Sequence, residues 1–180
     1  MRAFLISDGG RPGSLKLAEQ LSTVFELQLI APVFVSTHHT FDETIVDRNS
    51  FIAKHLREPT LGEIGCALAH RTAQQRALEL GLQSAAIFED DASILDVGQL
   101  EKRMSIYETT CRDSNPILIN INREAIPRRV ERRSRISSEL AQAFTPPYPA
   151  TAYALNRSAA QAFVTSQTPI RAQADFPLTR

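Results

Sequence analysis

The sequence predicts an α/β fold in which a mostly parallel sheet is flanked by helices. Three observations predict it. Short apolar runs of strand length alternate along the chain with stretches of helical periodicity, the pattern that lays helices on the faces of a parallel sheet. The run Ala85-Ala86-Ile87-Phe88 is apolar at every position, as in a strand buried on both faces. Before it comes a stretch carrying the start and stop signals of one long helix, Thr60-Leu61-Gly62-Glu63 at one end and Gly81 at the other. A chain of 180 residues favours one domain over 1–180, large enough to bury a core.

The elements follow in order. Ala3 to Ile6 reads as a short buried strand that stops at the turn cluster Ser7-Asp8-Gly9-Gly10. Leu17, Leu21, Val24 and Phe25 recur at helical spacing, which predicts a helix over Ser14–Phe25. Leu27 to Val35 is apolar and β-branched enough for a second strand, and the polar stretch Ser36–Arg57 carries no clear periodicity. In the long helix, Thr60 and Glu63 can cap each other's backbone N–H groups. Its inner stripe is Ile64, Ala67, Leu68 and Leu78, and Arg71, Gln74, Gln75, Arg76 and Glu79 form the wet face. Gly62 and Gly65 cost about 1 kcal/mol each inside a helix relative to Ala, so a close backbone approach is the physical reason to expect there. After the strand Ser84–Phe88, Val97–Thr110 reads as a helix and Pro116–Ile121 as a buried strand. Ser137–Phe144 reads as a short helix broken by Pro146-Pro147-Tyr148-Pro149, Ala150–Leu155 as a strand, and Arg157–Val164 as a helix.

The bulk numbers exclude more than they select. Hydrophobic content is 43% and charged content 22%, with 20 basic residues against 20 acidic ones. Such a balance gives no electrostatic argument for nucleic acid as a partner. The one local excess is the segment Arg123–Arg135, where Arg123, Arg128, Arg129, Arg132, Arg133 and Arg135 face Glu124 and Glu131. A run of this kind is either a solvated face or a contact for an anionic headgroup or diphosphate. The two cysteines, Cys66 and Cys111, suggest neither a disulfide framework nor a zinc spacing, which fits a reducing cytoplasm. No segment approaches the length of a membrane span, and the apolar N-terminal run is too short for a signal peptide. Any lipid substrate would be met at the membrane surface.

The residues that carry chemistry are Glu89-Asp90-Asp91, which follow the buried strand directly. Open α/β sheets bind ligands beyond the carboxyl ends of their strands. Three consecutive carboxylates repel one another, so a hard cation is a natural partner. In an extended chain Glu89 and Asp91 share a face and Asp90 points away, unless the chain turns. The competing reading is an acidic helix N-terminus capped by Asp91 or Ser93. Ser7, Asp8 and Arg11 follow the first strand, at the same expected edge. His70 is either a packed helix residue or a partner of the acids, and Tyr153 either a strand core residue or a sugar contact.

Two stretches together, Leu61-Gly62-Glu63-Ile64-Gly65-Cys66-Ala67-Leu68-Ala69-His70 and Ile87-Phe88-Glu89-Asp90-Asp91-Ala92, resemble glycosyltransferase family 25, the lipooligosaccharide-biosynthesis glycosyltransferases. Ala152-Tyr153-Ala154-Leu155-Asn156-Arg157-Ser158-Ala159-Ala160, then Pro169-Ile170 leading to Asp175, is similar to a later stretch of that family. The first strand, Leu5-Ile6-Ser7-Asp8, departs from the family's usual opening, and Arg11 is the candidate equivalent of its arginine. Relative to the family the chain is expected to be short after Asp175.

The resemblance implies a GT-A-like, Rossmann-type sandwich and an inverting transfer of a galactose-like sugar. The donor would be a UDP-sugar and the acceptor a glycan or glycolipid such as lipooligosaccharide. It also implies Mn²⁺ or Mg²⁺ as cofactor. On this reading Asp91 and Asp90 are the metal ligands and Glu89 and Asp175 the catalytic carboxylates, with Asp175 as the base for the acceptor hydroxyl. Ser7, Asp8 and Arg11 bind the nucleotide, and His70 and Tyr153 contact substrate or support the acids. The Arg123–Arg135 segment is the candidate contact with the inner face of a membrane. Two other readings stand beside it. One is a non-catalytic homologue that only binds. The other is a phosphoacceptor receiver domain, which also pairs acids with Mg²⁺ but carries them after its first strand, and in which an Asp would stand where Asn120 and Asn122 stand here.

Overall fold

The computed structural model describes residues 1–36, 42–110, 115–121 and 150–174, together with the backbone of 134–135 and 141–142. A five-stranded sheet is built from β1 (Arg2–Ile6), β2 (Glu26–Ile30), β3 (Ser84–Glu89), β4 (Leu118–Asn120) and β7 (Ala152–Asn156), in the spatial order β2-β1-β3-β7-β4. A separate two-residue pairing joins β5 (Ser134–Arg135) to β6 (Ala141–Gln142). The helices are α1 (Pro12–Ser22), α2 (Arg48–His55), α3 (Leu61–Glu79), α4 (Val97–Thr110) and α5 (Arg157–Ser166).

The period-two alternation of the strands builds two cores. Ala3, Leu5, Ala86 and Phe88 pack with Leu17 and Leu21 of α1 and Leu100, Met104 and Tyr107 of α4. Their sequence neighbours Phe4, Ile6, Ala85 and Ile87 pack on the opposite face with Ala69, Ala73 and Ala77 of α3 and Ala160 of α5. Successive side chains point to opposite faces, so β1 and β3, buried on both, need apolar residues at every position. The alanines at positions 69, 73 and 77 repeat every four residues, a small-residue stripe on the face of α3 turned to the sheet. A third cluster, Val46, Ile64, Ala67, Ile170 and Ala174, ties the start of α3 to the segments around 46 and 170. There Asp47 N–H donates to Ile170 O at 2.9 Å and Ile170 N–H to Ile45 O at 2.8 Å.

The parallel sheet needs one correction. β2, β1 and β3 pair in parallel, but β7 is antiparallel to both β3 and β4. The reason lies in the connection. Glu89 N–H donates to Thr151 O and Ile121 N–H to Ala152 O, so β4 ends and β7 begins at one edge of the sheet. A chain that returns at the edge it left must run backwards.

Other boundaries also shift. β2 stops at Ile30 rather than reaching Val35. The stretch read as aperiodic contains α2, whose N-cap Asp47 accepts from Ser50 N–H at 2.9 Å. Ala141–Gln142 is extended and paired, not helical. Gln74, placed on the wet face of α3, is fully buried.

The capping box of α3 is formed: Glu63 N–H donates to Thr60 Oγ1 at 3.2 Å, and Thr60 N–H to Glu63 Oε2 at 2.9 Å. Gly81 adopts φ +69° just beyond the helix, a conformation that glycine enters without strain. A methyl group on Gly65 would lie 2.3 Å from the Val33 carbonyl oxygen, so the helix meets the chain leaving β2 at backbone distance. Gly62 has open space around it, and the same explanation does not extend to it.

Candidate active site at the carboxyl edge of the sheet

Glu89 closes β3, and its register partner on the parallel strand β1 is Ile6. The residues after each strand therefore emerge side by side at the carboxyl edge, where such sheets hold ligands. The chain turns immediately after Glu89, with Ala92 N–H donating to Glu89 O at 3.1 Å. The turn sends the three acids in different directions.

Asp90 reaches toward the loop after β1 and receives Arg11 Nη1 at 3.1 Å. In that loop Asp8 Oδ1 accepts from Gly10 N–H at 2.8 Å. Ser7 is buried, with its Oγ 2.6 Å from Ser14 Oγ and accepting from Gly9 N–H at 3.0 Å. Ser7 thus fastens the loop to α1, while Asp8 and Arg11 stand at the surface. Asp91 lies at the surface among like charges. Burial, and then the charges of Glu89 and Asp90, push its carboxyl above the ordinary range, against its own backbone N–H and Arg11. An oxygen-only cluster whose negative charge is incompletely balanced has the donor chemistry of a site for a hard divalent cation.

Glu89 turns the other way, into the protein. Its Oε1 accepts from His70 Nε2 at 2.8 Å and from Cys66 Sγ at 3.3 Å. His70 Nδ1 lies 2.9 Å from Tyr153 Oη, which accepts from Gln74 Nε2 at 2.9 Å. These contacts have one consistent direction. The Gln74 amide donates to Tyr153 Oη, the Tyr153 hydroxyl donates to His70 Nδ1, and His70 Nε2–H donates to Glu89. Burial alone pushes the Glu89 carboxyl up. The His70 hydrogen bond, the charge of His70 when protonated and the Cys66 bond outweigh burial and hold it below the ordinary range. Burial pushes the Tyr153 hydroxyl far above its ordinary value, so it stays protonated as the donor this chain requires.

His70 and Tyr153 are 0% exposed, so neither presents a surface on which a sugar could stack. Both lie behind Glu89. Cys66, His70 and Gln74 follow one another at four-residue spacing on α3, and that spacing of polar residues within an alanine-rich stretch was the available sign of an inward polar face. Asp175 and nearly all of Arg123–Arg135 lie outside the described residues. Among the described residues no helix is long and apolar enough to cross a membrane.

An α/β sheet that gathers two loops and an acid cluster at its carboxyl edge has the arrangement in which open sheets of this class hold their ligands. The chain belongs to glycosyltransferase family 25 (LPS biosynthesis protein), whose sequence pattern matches residues 18–178. The match takes in α3, the acid cluster and β7, and begins after the loop that carries Ser7, Asp8 and Arg11. None of the curated proteins compared with the chain matches it.

Proposed function

We propose that the protein is a metal-dependent, inverting glycosyltransferase of GT-A-like fold. It moves a galactose-like sugar from a UDP-sugar to a bacterial surface glycan or glycolipid such as lipooligosaccharide. The observation that carries this reading is the meeting of the Glu89–Asp91 cluster with the Ser7–Arg11 loop through the Arg11–Asp90 ion pair, in a chain of a sugar-transferring family.

The roles follow from the chemistry. Asp91 and Asp90 are the residues to hold Mn²⁺ or Mg²⁺, and a bound ion supplies charge neutralisation to the departing diphosphate. Arg11 and Asp8 meet the nucleotide on a loop that Ser7 keeps in place. Glu89, fixed by His70 and Cys66, keeps its carboxylate charged and aimed, and the buried Tyr153–Gln74 pair sets the orientation of His70. Inversion at the sugar carbon requires that a base take the acceptor hydroxyl proton as its oxygen attacks and the diphosphate leaves. Asp175 is assigned that role on the family resemblance. The Arg123–Arg135 segment supplies the contact with an anionic membrane surface at the inner face, where a glycolipid acceptor would be met.

Calorimetric titration of UDP-galactose with and without Mn²⁺ tests the reading. Donor binding that needs Mn²⁺ and is lost in Asp91→Ala supports it; no binding, or binding unchanged in Asp91→Ala, overturns it. In Asp175→Asn, transfer should disappear while donor binding remains. Metal-dependent binding without turnover in the parent chain would favour the binding-only homologue.

A further inference from the structure

A thiol, an imidazole and a carboxylate converge behind the acid cluster. The candidate ligand atoms of Cys66, His70 and Glu89 all lie within 4.8 Å of one another. Cys66 and His70 come from the same face of α3 at positions i and i+4, and Glu89 comes from the end of β3. We infer that these three side chains form a binding site for a soft divalent metal ion of the zinc class, distinct in its chemistry from the all-oxygen pair Asp90 and Asp91.

Three features of the cluster support this. The first is size. Zn²⁺ bonds nitrogen, oxygen and sulfur at about 2.0–2.3 Å in tetrahedral geometry, which sets the donors roughly 3.3–3.8 Å apart. The present His70–Glu89 and Cys66–Glu89 separations are 2.8 and 3.3 Å, so these two pairs reach that spacing by only a small side-chain adjustment, and the Cys66 and His70 atoms lie within 4.8 Å of each other. The second is donor type. Thiolate and imidazole select zinc over magnesium or manganese. Glu89 retains 24% of its side-chain surface exposed, which leaves a fourth position reachable from solvent.

The third is the shell behind the ligands. Gln74 is fully buried, and its Oε1 has no hydrogen-bond partner among the described residues. In the metal-free arrangement the Tyr153 proton goes to His70 Nδ1, and the Gln74 amide must present nitrogen to Tyr153. A metal on Nε2 moves the imidazole proton to Nδ1, which then donates to Tyr153 Oη. The Tyr153 hydroxyl can then donate to Gln74 Oε1 after the amide turns over, the oxygen taking the place at Tyr153 Oη that Nε2 now holds. Without a cation, that orientation would set either a bare Nε2 or a doubly protonated ring against the Glu89 carboxylate. A ligating histidine whose second nitrogen donates to a fixed partner is the usual support of a metal site. The proton count closes with one release: the Cys66 thiol gives its proton to solvent as the thiolate–metal bond forms, and Glu89 binds as the carboxylate it already is.

The inference stands apart from the transferase reading. On that reading it adds a consequence, because a metal here takes up the Glu89 carboxylate and zinc then inhibits transfer.

Co²⁺ titrated into the full reduced chain, as a spectroscopic stand-in for Zn²⁺, tests the site whether or not the protein transfers sugar. One equivalent should produce a near-ultraviolet thiolate-to-cobalt band that Zn²⁺ abolishes and a large excess of Mg²⁺ leaves in place. The band should vanish in Cys66→Ser, a near-isosteric change at a half-buried position, and persist in Cys111→Ser. Tyr153→Phe should keep the band and weaken Co²⁺ binding 10- to 100-fold, with circular dichroism confirming that the variant folds. No band, a band that follows Cys111, or displacement by Mg²⁺ overturns the site, and unchanged affinity in folded Tyr153→Phe overturns the Tyr153–Gln74 support.

Discussion

At the scale of single residues, neighbouring carboxylates in one short turn have opposite electrostatic fates. Glu89 is held below the ordinary range by its inward partners, and Asp91 is raised by burial and by the two acids beside it. For an acid with a raised folded pKa, the folded state holds more protons than the unfolded one between the two pKa values, so stability falls as pH rises through that window. Asp91→Asn removes this cost. Its thermal midpoint at pH 7 should exceed that of the parent chain, and the difference should shrink as pH falls through the ordinary carboxylate range, while Mn²⁺-dependent donor binding is lost. Glu89 has the opposite sign: its contribution is complete at neutral pH and is lost as pH falls through its folded value. The triplet could be read in the sequence because a charged run after a fully apolar strand is conspicuous. His70 was legible as one possible partner of the acids; the Tyr153–Gln74 pair behind it was not, because Gln74 and Tyr153 lie far apart along the chain and are brought together only by packing α3 onto β7.

At the scale of elements, α3 depends on contacts at its first turn. Glu63 caps Thr60 and also receives Arg57 Nη1 at 2.8 Å and the Gln173 side chain. Arg57 first, then Thr60 and Gln173, hold the Glu63 carboxyl well below the usual range against the effect of burial. This stabilisation is complete at neutral pH and is lost as pH falls below the ordinary carboxylate range. Thr60→Ala should lower stability by about 1 kcal/mol through loss of the cap, read by urea denaturation. Gly65→Ala places its new methyl against the Val33 carbonyl oxygen and should cost on the order of 1–3 kcal/mol, as overpacking does. Gly62→Ala, with open space around it, should be neutral or slightly stabilising in the same experiment. The cap was legible as a local pattern of four residues. The two glycines looked alike in sequence, and only the path of residues 31–36 across the helix separates them.

A similar distinction applies at β7. Asn156 Oδ1 accepts from Ala159 N–H at 2.9 Å as the cap of α5 and from Ile117 N–H at 3.0 Å, while its Nδ2 donates to Asn115 O at 2.7 Å. One buried side chain therefore starts a helix and fastens β4. Asn156→Ala should cost more than the simple cap loss of Thr60→Ala, because it removes three hydrogen bonds to partly buried or exposed backbone groups, each with a net worth of about 0.5–1.5 kcal/mol.

At the scale of the whole molecule, the sheet brings together loops that are far apart in sequence. Arg11 is 67% exposed where it meets Asp90, so the ion pair contributes little to stability, about 0–1 kcal/mol. Arg11→Ala should leave the thermal midpoint nearly unchanged and, on the proposed nucleotide-binding role, weaken UDP-sugar binding in calorimetry. A fall in midpoint without any change in donor affinity would make the contact structural.

By itself the sequence determined the α/β class, the helix from Leu61 to Glu79, the strand that delivers the acids, and the family. These rest on local patterns: periodicity, capping residues, a run of apolar positions, and two motifs at set spacing. The tertiary structure decided the reversal of β7, the inward turn of Glu89 toward His70 and Cys66, and the full burial of His70 and Tyr153. Those features depend on which edge the chain returns to and on which faces α3 and β7 share. The opening cluster Glu89-Asp90-Asp91 is thus not a set of three equivalent acids. One is bound into the core, one is paired across the edge with Arg11, and Asp91 is left at the surface among like charges.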